Sequence, residues 1–166
     1  MKIKDLIDKL ANNSEFIAWK ESHKDTLLAH IFFICDNPTL INYDIGYYTA
    51  DNNRMTTFLV SGDDIKINSD QEIFKDPTHP ILELDLSKIN LEFEEAIGLA
   101  SALQQEKYSA DLPMKKFVIL QHIKQGLVWN VTFMTQSLKT LNIKIDAESK
   151  EIVEHKATSM MDFTAN

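Results

Sequence analysis

Cysteine occurs once in these 166 residues, glycine and proline four times each, and no apolar run reaches membrane-spanning length. A single Cys35 forms no internal disulfide, which fits a reducing compartment. Cys35 sits in an apolar stretch, so it reads as a small buried hydrophobe rather than a nucleophile. With so few glycines and prolines the chain has little room for disordered linkers. A spanning helix needs ~20 consecutive apolar residues, and the opening Met1-Lys-Ile-Lys-Asp-Leu-Ile-Asp8 mixes charge into its apolar pattern, unlike a signal peptide. The expectation is a soluble, cytoplasmic protein with no membrane insertion.

Positive charge is also in deficit. Seventeen Lys and Arg face 25 Asp and Glu, for a net charge of −8. No basic stripe exists to displace counterions, which disfavours nucleic acids and anionic membranes as partners, and Lys115-Lys116 is too small a cluster to reverse that. The bland reading is a solvated acidic surface; the sharper one is an acidic face that docks a basic partner.

Most catalytic signatures are missing too. Histidines stand at 23, 30, 79, 122 and 155, none four residues from another, and neither His-Glu-x-x-His nor Cys-x-x-Cys occurs. His30 and Cys35 share a strand but point to opposite faces. There is no glycine-rich phosphate loop and no Gly-x-Ser-x-Gly elbow. Asp63-Asp64 reads as a turn and Glu94-Glu95 as a helix start. The sequence therefore nominates no catalytic residue, no metal ligand and no cofactor.

What is present is regular patterning. Ile3, Leu6, Ile7 and Leu10 recur at helical spacing; Asn12-Asn13-Ser14 interrupts, and Ser14 can cap a second segment carrying Phe16, Ile17 and Trp19. Thr26–Cys35 is apolar on both faces, which predicts a central strand. After an Asp36-Asn37-Pro38 turn, Ile41, Tyr43, Ile45 and Tyr47 alternate against Asn42, Asp44, Gly46 and Tyr48. Strands at 54–60 and 65–68 follow. The one irregular connector runs from Ser69 to Pro80, with Asp76-Pro77 and His79-Pro80 excluding helix. Then comes a short strand or lead-in at Ile81–Leu86, and a helix capped by Asn90 that buries Phe93, Ala96, Ile97, Ala100 and Leu103. Strands at 116–123, 127–135, 140–145 and 151–155 follow, the first two joined at Lys124-Gln-Gly126.

The fold class is therefore α+β, with two tandem helix-plus-antiparallel-meander (α-β-β-β) repeats. Residues 1–80 form the first, 81–157 the second, and 158–166, with Met160, Met161 and Phe163, a tail. A spacing of 86 aligns Tyr43 with Trp129 and Phe33 with Ile119. Tyr43, Tyr47, Trp129 and Phe133 share a strand face within each repeat and should form the core beneath the helices. Tyr48 falls on the opposite face, where an exposed tyrosine would anchor a partner.

Leu91-Glu-Phe-Glu-Glu-Ala-Ile-Gly-Leu-Ala100, Trp129-Asn-Val-Thr-Phe133 and Leu141-Asn-Ile-Lys-Ile-Asp-Ala-Glu-Ser-Lys-Glu-Ile-Val153 together resemble the PepSY (propeptide and YpeB-type) domain. Glu94-Glu95-Ala96-Ile97, Trp129-Asn130-Val131 and Ile145-Asp146-Ala147 stand at its signatures, with Lys150 where the family often carries glycine. The resemblance covers roughly the C-terminal 65 residues. It implies a helix on a curled antiparallel sheet without a catalytic site. It also implies kinship with inhibitory or chaperone-like propeptides of secreted peptidases, or with envelope proteins.

The leading functional expectation is a non-enzymatic module that binds a protein or peptide through a sheet face or edge. One alternative is a small acidic secretion or folding chaperone acting as a homodimer. The other is a small-molecule-binding protein with a pocket in the curled sheet, which fails if Phe93, Ile97 and Trp129 fill the cup.

Overall fold

The computed structural model describes residues 1–35, 42–72 and 80–159. The predicted turn at 36–38, most of the 69–80 connector and the methionine-bearing tail lie outside the described residues.

Three helices and eight strands are described. Helices α1 (Ile3–Ala11) and α2 (Ser14–Ser22) precede strands β1 (Thr26–Ile34), β2 (Asn42–Thr49), β3 (Arg54–Ser61) and β4 (Asp64–Glu72). A 3-10 turn at Leu86–Lys88 and helix α3 (Phe93–Lys107) then lead into β5 (Pro113–Ile123), β6 (Gly126–Thr135), β7 (Lys139–Asp146) and β8 (Ile152–Ser159). The fold is α+β. All eight strands form one antiparallel sheet in the order β4-β3-β2-β1-β5-β6-β7-β8, so the first strand of each meander lies at the centre.

The helices start where local chemistry requires it. Asn13, rather than Ser14, caps α2: its side chain accepts from the backbone N–H groups of Glu15 and Phe16, each at 3.0 Å. Glu92, rather than Asn90, is the N-cap residue of α3. Asn90 is instead held to the β7–β8 turn, its N–H donating to Ala147 O and its side chain to Glu148 O. The Glu92 carboxylate reaches across to accept from the Ile3 N–H at 3.0 Å, satisfying an orphan donor of α1.

All three helices cover the same side of the sheet. Ile3, Leu6 and Leu10 of α1, Phe16 and Trp19 of α2, and Phe93, Ala96, Ala100 and Leu103 of α3 join the alternate residues of the strands in one core cluster. The pattern follows from the period of two along each strand. Tyr43, Tyr47, Trp129 and Phe133 all lie in this cluster, as the alternation predicts. Under α2, Phe16 and Trp19 meet Tyr47 and Phe58 with ring centroids 5.0–5.5 Å apart. Burial there pushes the Tyr47 phenol up to about 12. Under α3, Trp129 is fully buried, packs on Phe33 and Phe93, and donates from Nε1 to Leu91 O at 2.8 Å. The helix-side cup is therefore filled.

Register corrects one alignment. Phe33 pairs with Val118 and is fully buried on the helix side, whereas Ile119 pairs with Phe32 and lies on the other face. A spacing of 86 suits Tyr43 and Trp129 but turns Phe33 away from Ile119, because a one-residue slip exchanges faces.

The segment after Pro80 is a lead-in rather than a strand. Leu82 makes an isolated bridge to His122, and Leu84 N–H donates to Leu28 O at 2.9 Å, where the β1–β5 ladder has ended at His30 and Gln121. Ile81 packs on the helix-free side and Leu84 on the helix side, so the chain passes through the splayed end of the seam.

Replacing Trp129 with Phe keeps most of the apolar contact but leaves the buried Leu91 carbonyl without its donor. The expected loss is about 1–3 kcal/mol in urea unfolding, with the slope unchanged.

Candidate functional site

With one face of the sheet buried under helices, the side chains that alternate with the core define the other. At its centre Phe32 of β1 and Phe117 of β5 stack, centroids 6.1 Å apart and planes within 11°. They are diagonal neighbours across the β1–β5 ladder, close enough for rings to meet. Both are half-buried.

The two flanks of this aromatic pair differ. On the β6–β7 side the polar groups satisfy one another. Asn142 Nδ2 donates to Asn130 Oδ1 at 2.5 Å and to Thr132 Oγ1 at 2.9 Å, and Lys144 pairs with Glu154 at 3.1 Å. On the β2–β3 side His30, Phe32, Asp44, Met55, Thr57, Leu59, Asn68 and Ile119 line a concavity of about 470 Å³. Leu59 there is 39% exposed.

His30 is set by its cross-strand partner. It pairs directly with Gly46, and a Cβ on Gly46 would come within 2.6 Å of His30 Nε2 and 2.7 Å of Nδ1. Glycine is thus what lets the imidazole lie across β2. Burial holds its pKa below the usual histidine value, so the ring is neutral at pH 7. Asp44, on the same face and diagonal to His30, is half-buried, and desolvation raises its carboxyl above the ordinary range with no opposing cation. Two residues back along β2, Asn42 Oδ1 is buried without a hydrogen-bond partner. Among the described residues, then, this flank collects acceptors that no donor meets. Neither His30 nor Asp44 carried a sequence motif. The signal lay in the Asn42, Asp44, Gly46 alternation, which reads only as a polar strand face.

Tyr48 occupies the predicted face, but its ring is 3% exposed. Ala29 and Met55 flank it, Leu27 and Ile81 pack on this small cluster, and its hydroxyl donates to Asn53 Oδ1 at 3.0 Å. The segment entering after Pro80 covers that end of the sheet, so the expectation of an exposed tyrosine anchor is corrected. His30 and Cys35 do lie on opposite faces, Cys35 packing against the helix-side core. No group of three His, Cys, Asp or Glu side chains assembles a metal site among the described residues. No described helix is long and apolar enough to cross a membrane.

Two outcomes follow from the unpaired groups. Asp44 titrates higher folded than unfolded, so its ionised form weakens the native state at neutral pH. Asp44→Asn should raise Tm at pH 7, with the gain shrinking as pH falls below the carboxyl's midpoint, where the wild-type group is also neutral. Gly46→Ala should destabilise by about 1–3 kcal/mol, and His30→Ala in the same chain should recover most of that loss. A double-mutant cycle reads the coupling.

No family model matches this sequence, and no curated protein matches it. Among solved structures the chain is similar to the crystal structure of a candidate lipoprotein from Clostridium difficile 630, with a TM-score of 0.53 and 12% identity. The match covers 87% of this chain and 90% of that one. At that identity the likeness is one of fold: an arrangement of helices on a sheet shared over nearly the whole of both chains.

Proposed function

We propose that this protein is a non-enzymatic binding module that recognises a protein or peptide through the helix-free face of its sheet. The observation that carries the reading is the contrast across that face. A half-buried Phe32–Phe117 pair sits beside a hollow, walled on one side by Phe32, whose His30 and Asp44 acceptors lack donors, with the unpartnered Asn42 Oδ1 farther along the same face of β2. Aromatic residues at the centre of a mixed polar surface are the usual makings of a binding hot spot. Unpaired polar groups gathered on one flank of an open sheet face argue for a role outside folding, whereas the unpartnered Trp19 Nε1 stands by itself in the helix-side core.

The face is a better candidate than the edges. β4 carries Asp64 and Lys66 along its margin, and β8 carries Glu154 and Lys156, with register shifts in both outer ladders. Charge and bulges are the common devices that keep an edge strand from recruiting another. Among the described residues the strand N–H groups are committed to ladders, which argues against a backbone oxyanion hole on this face.

The architecture reads as two copies of one helix-plus-meander unit, joined first strand to first strand. Tyr43 on β2 and Trp129 on β6, the second strand of each meander, both face the helix-side core and both pack on Phe33. The PepSY resemblance of the second copy gains support at one residue. Lys150 has φ +67, the left-handed conformation that glycine adopts without strain, at the place where that family often carries glycine.

Affinity capture with the intact chain as bait tests the reading. A partner held by the wild type at physiological salt should be lost from Phe117→Asp and retained by a control such as Ile17→Asp, on an exposed helix position. Loss from both variants, or from neither, counts against the face.

A further inference from the structure

We propose that the hollow between β1 and β3 is the seat of a single arginine side chain presented by the protein partner. This rests on the sheet face being the recognition surface and names what that surface reads.

The lining determines the chemistry. The hollow needs donors: Asp44 offers two carboxylate oxygens and the neutral His30 ring one acceptor nitrogen, while Asn42 Oδ1, also unpartnered, lies beyond the lining on the same strand face. None has a hydrogen-bond partner among the described residues. An anionic ligand would meet Asp44 with no Lys or Arg in the lining to offset it. A metal ion would find only His30 and Asp44 as strong ligands, short of a coordination shell. A neutral apolar ligand would leave the carboxylate desolvated and unpaired, which is the costly outcome.

A guanidinium answers both lining groups, Asp44 and His30. Its planar fork matches a carboxylate with two parallel N–H···O bonds, and its remaining donors point to the sides. His30 and Asp44 are diagonal neighbours across β1 and β2, roughly 7 Å apart by the geometry of such pairs, leaving room for a flat cation between them. Phe32 offers a ring for a guanidinium to stack on. Met55, Leu59 and Ile119 supply an apolar wall for the methylene stem. The net charge of −8 draws a basic partner toward the chain as a whole. Lysine satisfies Asp44 but not the side-by-side acceptors, so the geometry favours arginine.

The test uses the full chain and model compounds, read by backbone amide shifts in two-dimensional NMR. N-acetyl-arginine amide should perturb residues 30, 44, 57 and 59 along a saturable curve. The citrulline analogue, isosteric but uncharged, and the norleucine analogue should bind at least about tenfold more weakly, the difference expected of a charge-assisted pair. Asp44→Asn, whose spectrum also reports that the fold is intact, should erase the preference for arginine. Asp63→Asn, at an exposed carboxylate paired with Lys9, should leave it unchanged. Equal affinity for arginine and citrulline, an unchanged preference in Asp44→Asn, or absence of saturable shifts in the hollow each overturns the proposal. If a captured partner still depends on Phe117, the sheet-face reading survives that failure; if it does not, both fall.

Discussion

Residues His30–Ile34 of β1 pair with Phe117–Gln121 of β5, and this short antiparallel ladder turns two four-stranded meanders into one sheet. Everything else is conditioned on it. It sets the two meanders back to back so that α1, α2 and α3 lie on one side and share a single core. It also places Phe32 against Phe117, so the middle of the helix-free face is built from both halves of the chain. An eight-stranded sheet has two faces to account for, and helices of 9, 9 and 15 residues cover one.

Each face carries a buried polar atom without a partner, Trp19 Nε1 in the helix-side core and Asn42 Oδ1 on the helix-free side, but the second face gathers several unpaired acceptors in one place. On the helix side, the Trp129 indole has its carbonyl and the α1 terminus has the Glu92 carboxylate. On the helix-free side, the β6–β7 flank closes its own Asn130, Thr132 and Asn142 network, while His30, Asp44 and Asn42 across the aromatic pair are left open. Desolvation shifts the His30 and Asp44 equilibria in the directions that oppose charge. A protein that resolves such costs on one flank and retains them on the other is holding interaction energy in reserve for contact with something else.

Much of the fold was legible because side-chain periodicity is a direct image of burial. The Tyr43, Ile45, Tyr47 alternation, the central placement of Thr26–Ile34 and the amphipathic helix near residue 93 follow from that alone. Fine register was not legible. Phe33 and Ile119 are both apolar, and only pairing reveals that they lie on opposite faces. Tyr48 was assigned the correct face and the wrong exposure, since Ile81, distant in sequence, determines its cover. The hollow left fainter traces still. Gly46 looks like a weak strand residue until His30 is found lying across it, and Asp44 looks like any solvated acid until the sheet brings apolar walls around it. Sites made by convergence of ordinary residues across strands carry no local motif.

The seam between β1 and β5 has a kinetic corollary. Strands within a meander follow one another closely in sequence, but the central ladder joins residues roughly 90 positions apart along the chain, the sort of closure that carries the largest entropy cost and comes slowly. Each meander can form locally before the seam exists, and only zipping the middle brings Phe32 beside Phe117 and adds Ile119 to the wall of the hollow. Completion of the aromatic pair thus reports completion of folding, whereas His30 and Asp44 already share a face within the first meander.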